Sequence, residues 1–561
     1  MNTILTVKDL GISYPVGKNE IPALQAIRID IAPAQVVGVV GESGAGKSTI
    51  GKAVLGLLDQ NAIIKSGHIE FLGQNMLSMK EAKLESIRGK DIGYIYQNPM
   101  TALNPVLTIG EQMIEAIEAN TNLRGKKARD YAIELLEQAD VPEAEDRLTK
   151  YPHQLSGGLC QRIVIAIAIS AKPKLIIADE PTTALDVTVQ KAILNTLTKL
   201  CRQHDVAIML ITHDMGVVAE MCDYLYVLRY GKQVEQGPAN DVIYNPQEAY
   251  SKQLMAAVPR IDKRVERFVV PGEESIQGKH AALTYLHDKE QSTRNSLQPI
   301  LSAESLCKTF ITPATMFRPK KEFKAVSGAS FYVNEGETVG IVGESGSGKS
   351  TIGRMLLGLH DLTSGKVTYR GKDLAEFATE KERRKHSLSM QCIFQDPYSS
   401  LNPRMSAGQN ITYALQAHGM IKEHEASELA GDLMALVGLP RADKDKKPYA
   451  FSGGERQRIG IARALAFRPD FLFCDEPTSA LDVSVQAELL NLLRDLQKQF
   501  NLSMLFVSHD LAVVRYMCDR VIVMKDGVIV EQGSNEQIFD DPQHPYTQSL
   551  LAAMPRLENI A

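Results

Sequence analysis

The stretch Gly41-Glu42-Ser43-Gly44-Ala45-Gly46-Lys47-Ser48-Thr49 recurs as Gly343-Glu344-Ser345-Gly346-Ser347-Gly348-Lys349-Ser350-Thr351. Each copy follows a short apolar run, Val36-Val37-Gly38-Val39-Val40 or Thr338-Val339-Gly340-Ile341-Val342, which reads as a strand feeding a glycine-rich loop. Consecutive backbone N–H groups and a helix N-terminus then converge on one place, where an anion such as a nucleotide phosphate satisfies them. Lys47 and Lys349 are placed to reach β- and γ-phosphates, and the hydroxyls of Ser48 and Ser350 to face Mg2+. Two nucleoside triphosphate sites are expected. Gly41, Ser43, Gly44, Gly46 and Thr49 line the first; Gly343, Ser345, Gly346, Gly348 and Thr351 line the second.

The repetition reaches far beyond these loops. The separation is 302 residues from Gly41 to Gly343 and 298 from Gln97 to Gln395; it is 296 for each of Ser156–Ser452, Asp179–Asp475 and His213–His509. A register that drifts by only six residues across five chemically unrelated segments means a duplicated domain of roughly 260 residues. The expected boundaries are a first domain at 1–260, a linker at 261–300 and a second domain at 301–561. The linker loses apolar periodicity, is rich in Lys, Glu, Gln, Ser and Thr, and is broken by Pro271-Gly272 and Pro299. Thr312 to Lys324, with Pro313, Pro319, Lys320 and Lys321, reads as an exposed loop between early strands.

Composition narrows the function classes. The 561 residues carry 62 basic and 67 acidic side chains, a net charge of −5, without the basic bias of a nucleic-acid binder. The seven cysteines are scattered and form no C-x-x-C pair, which suits reduced thiols in a cytosol. The N-terminus lacks a basic stretch followed by an apolar run, and no window approaches the roughly 18 apolar residues of a membrane span, so the chain is expected to be soluble by itself.

Two further apolar runs end in paired carboxylates. Leu175-Ile176-Ile177-Ala178 leads to Asp179-Glu180, and Phe471-Leu472-Phe473-Cys474 leads to Asp475-Glu476. Each reads as a buried parallel strand delivering an aspartate to the metal at its C-terminal edge. Hydrolysis needs a water aligned with the γ-phosphorus and a carboxylate to take its proton, which makes Glu180 and Glu476 the general-base candidates. His213 and His509 follow apolar strands and are candidates to place an imidazole beside the γ-phosphate.

In this order the motifs resemble the ATP-binding cassette (ABC) family over nearly the whole chain outside the linker. The family's signature loop is matched by Leu155-Ser156-Gly157-Gly158 and Phe451-Ser452-Gly453-Gly454, its D-loop by Ala184-Leu185-Asp186 and Ala480-Leu481-Asp482, and its switch histidine by His213 and His509. Its Q-loop glutamine is matched by Gln97 and Gln395, which the resemblance places at the metal and nucleotide. The implied fold is α/β: two tandem P-loop nucleotide-binding domains, each with a RecA-like core, an antiparallel β part and a helical signature subdomain. The resemblance also implies head-to-tail pairing. In it Gly41–Thr49 faces Ser452 to Glu455, Gly343–Thr351 faces Ser156 to Leu159, and ATP acts as the glue between domains. Tyr14 and Phe310 lie where the family places an aromatic that stacks on adenine.

The text after each Q-loop glutamine, Asn98-Pro99-Met100-Thr101-Ala102-Leu103-Asn104-Pro105 and Asp396-Pro397-Tyr398-Ser399-Ser400-Leu401-Asn402-Pro403, is similar to bacterial peptide, nickel and glutathione importers. So are Asn245–Tyr250 and Asp541–Thr547, near the two domain ends. That likeness implies an ATPase on the cytoplasmic face of the bacterial inner membrane. Its implied partners are two transmembrane permease subunits and, through the complex, an extracytoplasmic solute-binding protein. No nucleic acid and no iron–sulfur cluster are expected. A ribosome-associated tandem-cassette factor and an exporter are the alternatives. One departure stands out: the first signature continues with Leu159-Cys160 where the second has Glu455-Arg456.

Overall fold

The computed structural model describes residues 3–17, 19–182, 186–262, 264–269, 285–286, 299–312, 321–376, 387–479 and 481–554. The chain divides into two compact units, Met1–Val258 and Pro259–Met554.

In the first unit the strands are β1 (Leu5–Val16), β2 (Asn19–Ile31), β3 (Val36–Gly41), β4 (Ile63–Phe71), β5 (Gln74–Asn75), β6 (Ile92–Ile95), β7 (Leu175–Asp179), β8 (Ala207–Ile211), β9 (Tyr224–Arg229) and β10 (Lys232–Pro238). They form one sheet in the order β5-β4-β1-β2-β10-β9-β3-β8-β7-β6. The run β6-β7-β8-β3-β9 is parallel, and β1, β2, β4 and β5 pair antiparallel.

The parallel strands are buried on both faces, which explains their unbroken apolar text. Alternate residues serve two cores: Val37, Ile177, Met209 and Ile211 face one, and Val36, Ile176, Ala178, Ile208 and Leu210 the other. The first core lies under the antiparallel strands and the helix Lys47–Val54. The second is closed by the helices Ile109–Asn120, Lys126–Gln138 and Gly157–Ile169.

The second unit repeats this plan with β11 (Leu301–Thr312), β12 (Lys321–Val333), β13 (Thr338–Val342), β14 (Ser364–Tyr369), β15 (Lys372–Asp373), β16 (Met390–Ile393), β17 (Phe471–Asp475), β18 (Ser503–Val507), β19 (Arg520–Lys525) and β20 (Val528–Ser534). The order is β16-β17-β18-β13-β19-β20 in one sheet and β12-β11-β14-β15 in another. In both units the topology sets the ends of the loop strand, the Asp-Glu strand and the histidine strand side by side, where α/β sheets bind ligands.

The loop expected over Thr312–Lys324 is corrected at its ends. β11 runs through Thr312 and β12 starts at Lys321, because Phe310↔Phe323 and Ile311↔Glu322 extend the hairpin register with a cross-strand aromatic pair. Residues 313–320 lie outside the described residues, as do most of 261–300. Within 261–300, the described residues pack on the second unit. Phe268 is buried with its ring 4.3 Å from that of Tyr516; its N–H donates to Asn491 Oδ1 at 3.2 Å and its carbonyl accepts from Asn491 Nδ2 at 3.0 Å. Arg267 pairs with Asp495 at 2.7 Å, and Tyr285 donates to the Ala466 carbonyl at 2.9 Å.

Candidate active site

Gly46 and Gly348 precede the helices Lys47–Val54 and Lys349–Leu356 with φ of 95° and 99°, a left-handed backbone open to glycine at no steric cost. A Cβ on Gly41 would sit 2.2 Å from the Leu228 carbonyl oxygen, so the first loop rests backbone to backbone on β9. Inside each loop lies a buried ammonium. Lys47 Nζ donates to the carbonyls of Gly41 (2.8 Å) and Glu42 (3.0 Å), and Lys349 Nζ to those of Gly343 and Glu344 (both 2.8 Å).

Directly beside the loops, Ser48 Oγ donates to Asp179 Oδ1 at 2.9 Å and Ser350 Oγ to Asp475 Oδ1 at 2.8 Å. Burial pushes both aspartate carboxyls above their ordinary range, partly offset by the hydroxyls of Tyr94 and Ser48 at Asp179 and of Ser350 at Asp475. A buried carboxylate whose charge is disfavoured gains most from a cation. Its oxygen and the neighbouring hydroxyl form a hard donor set suited to Mg2+, which takes few protein ligands besides phosphates. Among the described residues no group of three or more His, Cys, Asp and Glu could hold a metal ion.

Glu180 and Glu476 depart from the helical and strand regions altogether, with φ of 47° and 45°. For a non-glycine residue this left-handed backbone costs about 1–2 kcal/mol. It is held by the bonds from Glu180 N–H to the Ile211 carbonyl (2.8 Å) and from Glu476 N–H to the Val507 carbonyl (3.0 Å). The turned backbone delivers each side chain to the expected glutamine and histidine. Gln97 Nε2 donates to Glu180 Oε2 at 2.6 Å, and His213 Nδ1 lies 3.2 Å from Oε1. In the second unit Gln395 Nε2 and His509 Nδ1 lie 2.9 and 3.1 Å from Glu476 Oε2.

Burial pushes both imidazoles down, but the hydrogen bond and charge of the paired glutamate outweigh it and the net direction is up. Burial likewise pushes the Glu476 carboxyl up, and the His509 bond and charge turn it down overall. Each site thus brings Lys, Ser, Asp, Glu, Gln and His together.

The other expected residues stand apart from that group. Ser156 and Ser452 cap the helices Gly157–Ile169 and Gly453–Leu465, accepting from Leu159 N–H (3.4 Å) and Glu455 N–H (3.3 Å). Glu455 reciprocates by accepting from Ser452 N–H at 2.8 Å. Both turns are exposed at the serine. Asp186 caps the helix Val187–Gln203, and Asp482 occupies the N-cap of Val483–Phe500. The D-loop residues Ala184, Leu185 and Ala480 lie outside the described residues. Tyr14 is only partly buried at the end of the first loop, where burial pushes its phenol up, and Phe310, 37% exposed, meets His360 edge-on at 5.4 Å.

Two site residues escaped the sequence reading. Tyr94 on β6 donates its hydroxyl to Asp179 Oδ2 at 2.8 Å. Burial and the adjacent carboxylate push that phenol far up, so it stays a donor. Tyr546, in the C-terminal helix Pro545–Ala553, accepts from the Glu344 N–H of the second loop at 3.2 Å. Tyr546 stood in text noted only as a likeness of the domain end; Tyr94 had no signal at all.

The units also differ behind the signature turns. Arg456 Nε donates to the Pro448 carbonyl at 2.6 Å with its guanidinium 3.8 Å over the Tyr398 ring, and Gln457 donates to the Phe394 carbonyl at 3.2 Å. Among the described residues Cys160 has only a 3.6 Å contact to the Pro152 carbonyl, and the buried Gln161 has no partner for either amide atom.

The family model described as "ABC transporter" matches residues 24–183 and 326–479. Those spans hold both phosphate loops, both Asp-Glu strand ends and both signature turns. The chain belongs to the ABC transporter family. It is accordingly an ATPase, with the ATP-binding segment present twice. A second model, "Oligopeptide/dipeptide transporter, C-terminal region", matches 234–282 and 530–560. This ABC ATPase is 40% identical over 98% of its length to the glutathione import ATP-binding protein GsiA of Salmonella paratyphi A, covering 89% of that protein. It is 40% identical over 99% of its length to the peptidoglycan transport ATP-binding protein YejF of Agrobacterium fabrum, covering 97% of it. The dimeric post-hydrolysis structure of the ATP-binding cassette MJ0796 with ADP and Pi is 28% identical over 42% of this chain and 98% of its own, with a TM-score of 0.38. Among the described residues no helix is long and apolar enough to cross a membrane.

Proposed function

We propose that this ABC ATPase energises a bacterial importer of peptides or related small solutes such as glutathione. It works at the cytoplasmic face of the inner membrane with two permease subunits and an external solute-binding protein. The reading carries over the named roles of relatives that align along almost all of the chain, and the duplicated oligopeptide/dipeptide C-terminal region supports it most directly. The working division is a first cassette at 1–260, a connector at 261–300 and a second cassette at 301–561.

In each cassette the loop N–H groups and Lys47 or Lys349 bind the phosphates of ATP, with Tyr14 or Phe310 beside the base. Ser48 with Asp179, and Ser350 with Asp475, would hold Mg2+, with Gln97 and Gln395 as further candidates toward the ion. The ion supplies charge neutralisation on the phosphates. Glu180 and Glu476 accept the proton of the attacking water, with Gln97 and His213, or Gln395 and His509, fixing the carboxylate that takes it. Loss of a base lowers turnover at its own site by roughly 10²–10⁴-fold. Ser156–Gly158 and Ser452–Glu455, at helix N-termini whose serines are exposed, supply further N–H donors for phosphate.

The decisive experiment is reconstitution with the cognate permease and binding protein. ATPase activity is low in the free chain and rises with solute-loaded binding protein; a complex whose turnover ignores loaded binding protein refutes the importer reading. Mass spectrometry of the solute carried by the co-purified binding protein identifies the substrate.

A further inference from the structure

We propose that Tyr94 is a positioning residue for the metal carboxylate of the first site alone, so that the two sites hold their divalent ion unequally. This rests on the reading of Asp179 and Asp475 as the metal's carboxylates.

Two cross-strand pairs set the units apart. Tyr94 on β6 and Ile177 on β7 are direct register partners; in the second unit the same partners are Cys392 and Phe473. Tyr94 and Ile177 both approach Gly51 of the first loop helix, and Phe473 approaches the equivalent Gly353 of the second. An ideal Cβ on Gly51 would lie 3.2 Å from Ile177 Cγ2 and 3.6 Å from Tyr94 Cε2, and one on Gly353 would lie 1.9 Å from Phe473 Cζ. One aromatic ring therefore fills this space in each unit, supplied by the edge strand in the first and by the central strand in the second. The bulk is retained and the hydroxyl is not.

The consequence falls on the aspartate two residues further along the central strand. Asp179 is held at both oxygens, by Ser48 at 2.9 Å on Oδ1 and by Tyr94 at 2.8 Å on Oδ2, which fixes its plane. Asp475 is held at Oδ1 by Ser350 at 2.8 Å, and among the described residues no donor bonds its Oδ2. An outer partner that orients a metal-binding carboxylate is commonly worth about 10–100-fold in metal affinity. The first site is the tighter.

The test is Mn2+ titration of the full chain with AMP-PNP, followed by electron paramagnetic resonance, which counts bound ions without turnover. Two affinity classes are expected. Tyr94→Phe, which removes one oxygen and keeps the ring, weakens the tighter class about 10-fold and leaves the other within twofold. The exchange Cys392→Tyr with Phe473→Ile, which brings the first unit's pair to the second, tightens the weaker class, a gain that misfolding cannot imitate. Asp179→Asn serves as reference. If it removes one class while Tyr94→Phe and the exchange both leave the constants unchanged, the positioning role is overturned and the metal reading stands. If Asp179→Asn itself changes neither class, the metal reading falls and takes this proposal with it.

Discussion

Gly353→Ala and Gly51→Ala are the same substitution at equivalent helix positions, and the structure sets them apart. At Gly353 the new methyl would lie 1.9, 2.2 and 2.3 Å from Cζ, Cε1 and Cε2 of Phe473, a ring only 1% exposed in the core under the loop helix. Carbon atoms rest about 3.5–4.0 Å apart, so the ring or the helix must move by roughly 1.5 Å or more. Overpacking of that kind costs about 1–3 kcal/mol, occasionally more, against a gain of about 1 kcal/mol for replacing glycine within a helix. The net is a loss of up to about 2 kcal/mol, and more if the ring cannot turn aside. At Gly51 the nearest atoms are Ile177 Cγ2 at 3.2 Å and Ile211 Cδ1 at 3.4 Å, which need give only tenths of an ångström. There the helix gain prevails, and the change is neutral to about 1 kcal/mol stabilising. Hydrogen-exchange mass spectrometry on peptides covering β17 and β7 reads each unit's opening free energy in the intact chain. Adding Phe473→Ile to Gly353→Ala should recover most of the loss. Equal protection in the two single variants would refute the packing argument.

Three further outcomes follow from named contacts. Arg456→Ala leaves the Pro448 carbonyl without its buried charged donor and frees the Tyr398 ring, at about 2–3 kcal/mol, read as faster hydrogen exchange around Pro397–Ser400. In the second site the His509 imidazole is raised and the Glu476 carboxyl lowered, so the signs differ. The histidine's contribution is complete below its unfolded pKa and lost as pH rises through its higher folded value; the glutamate's is complete above its unfolded pKa and lost as pH falls through its lower folded value. Imidazole NMR titration checks the pair: Glu476→Gln leaves burial acting with the charge of the partner removed, so the His509 midpoint should fall. Phe268→Ala removes a buried ring at about 3–5 kcal/mol and should expose Arg264–Val269 to limited proteolysis, whereas unchanged cleavage would show that the ring does not anchor the connector.

What the sequence disclosed and what it hid divide along a physical line. The glycine loops, the Asp-Glu strand ends and the histidines each depend on neighbours within a few residues, so their text is sufficient and the structure assembles them around one point in each unit. The turned backbone of Glu180 and Glu476 carries no such text: glutamate has no local preference for the left-handed region, and bonds to Ile211 and Val507 on the next strand help hold it there. The connector shows the same dependence. Arg264-Val265-Glu266-Arg267-Phe268-Val269 reads as polar, and its one aromatic is buried only because Asn491 and Tyr516, more than two hundred residues away, are shaped to receive it.

Tyr94 marks the limit most sharply. On a four-residue strand a tyrosine is indistinguishable from an ordinary core aromatic until its register partner is known, and here the partner decides the chemistry. The loop, Asp, Glu, Gln and His residues are repeated almost letter for letter, as the phosphate binding and water activation proposed for them would require. The layer behind them is held only to a volume, which Tyr94 with Ile177 and Cys392 with Phe473 satisfy in different ways. A constraint on volume leaves functional groups free to change, so two sites with the same motifs can diverge through the residues that no motif contains. Divergence is therefore expected first at oxygens such as Asp179 Oδ2 and Asp475 Oδ2, one partnered by a hydroxyl and the other not among the described residues.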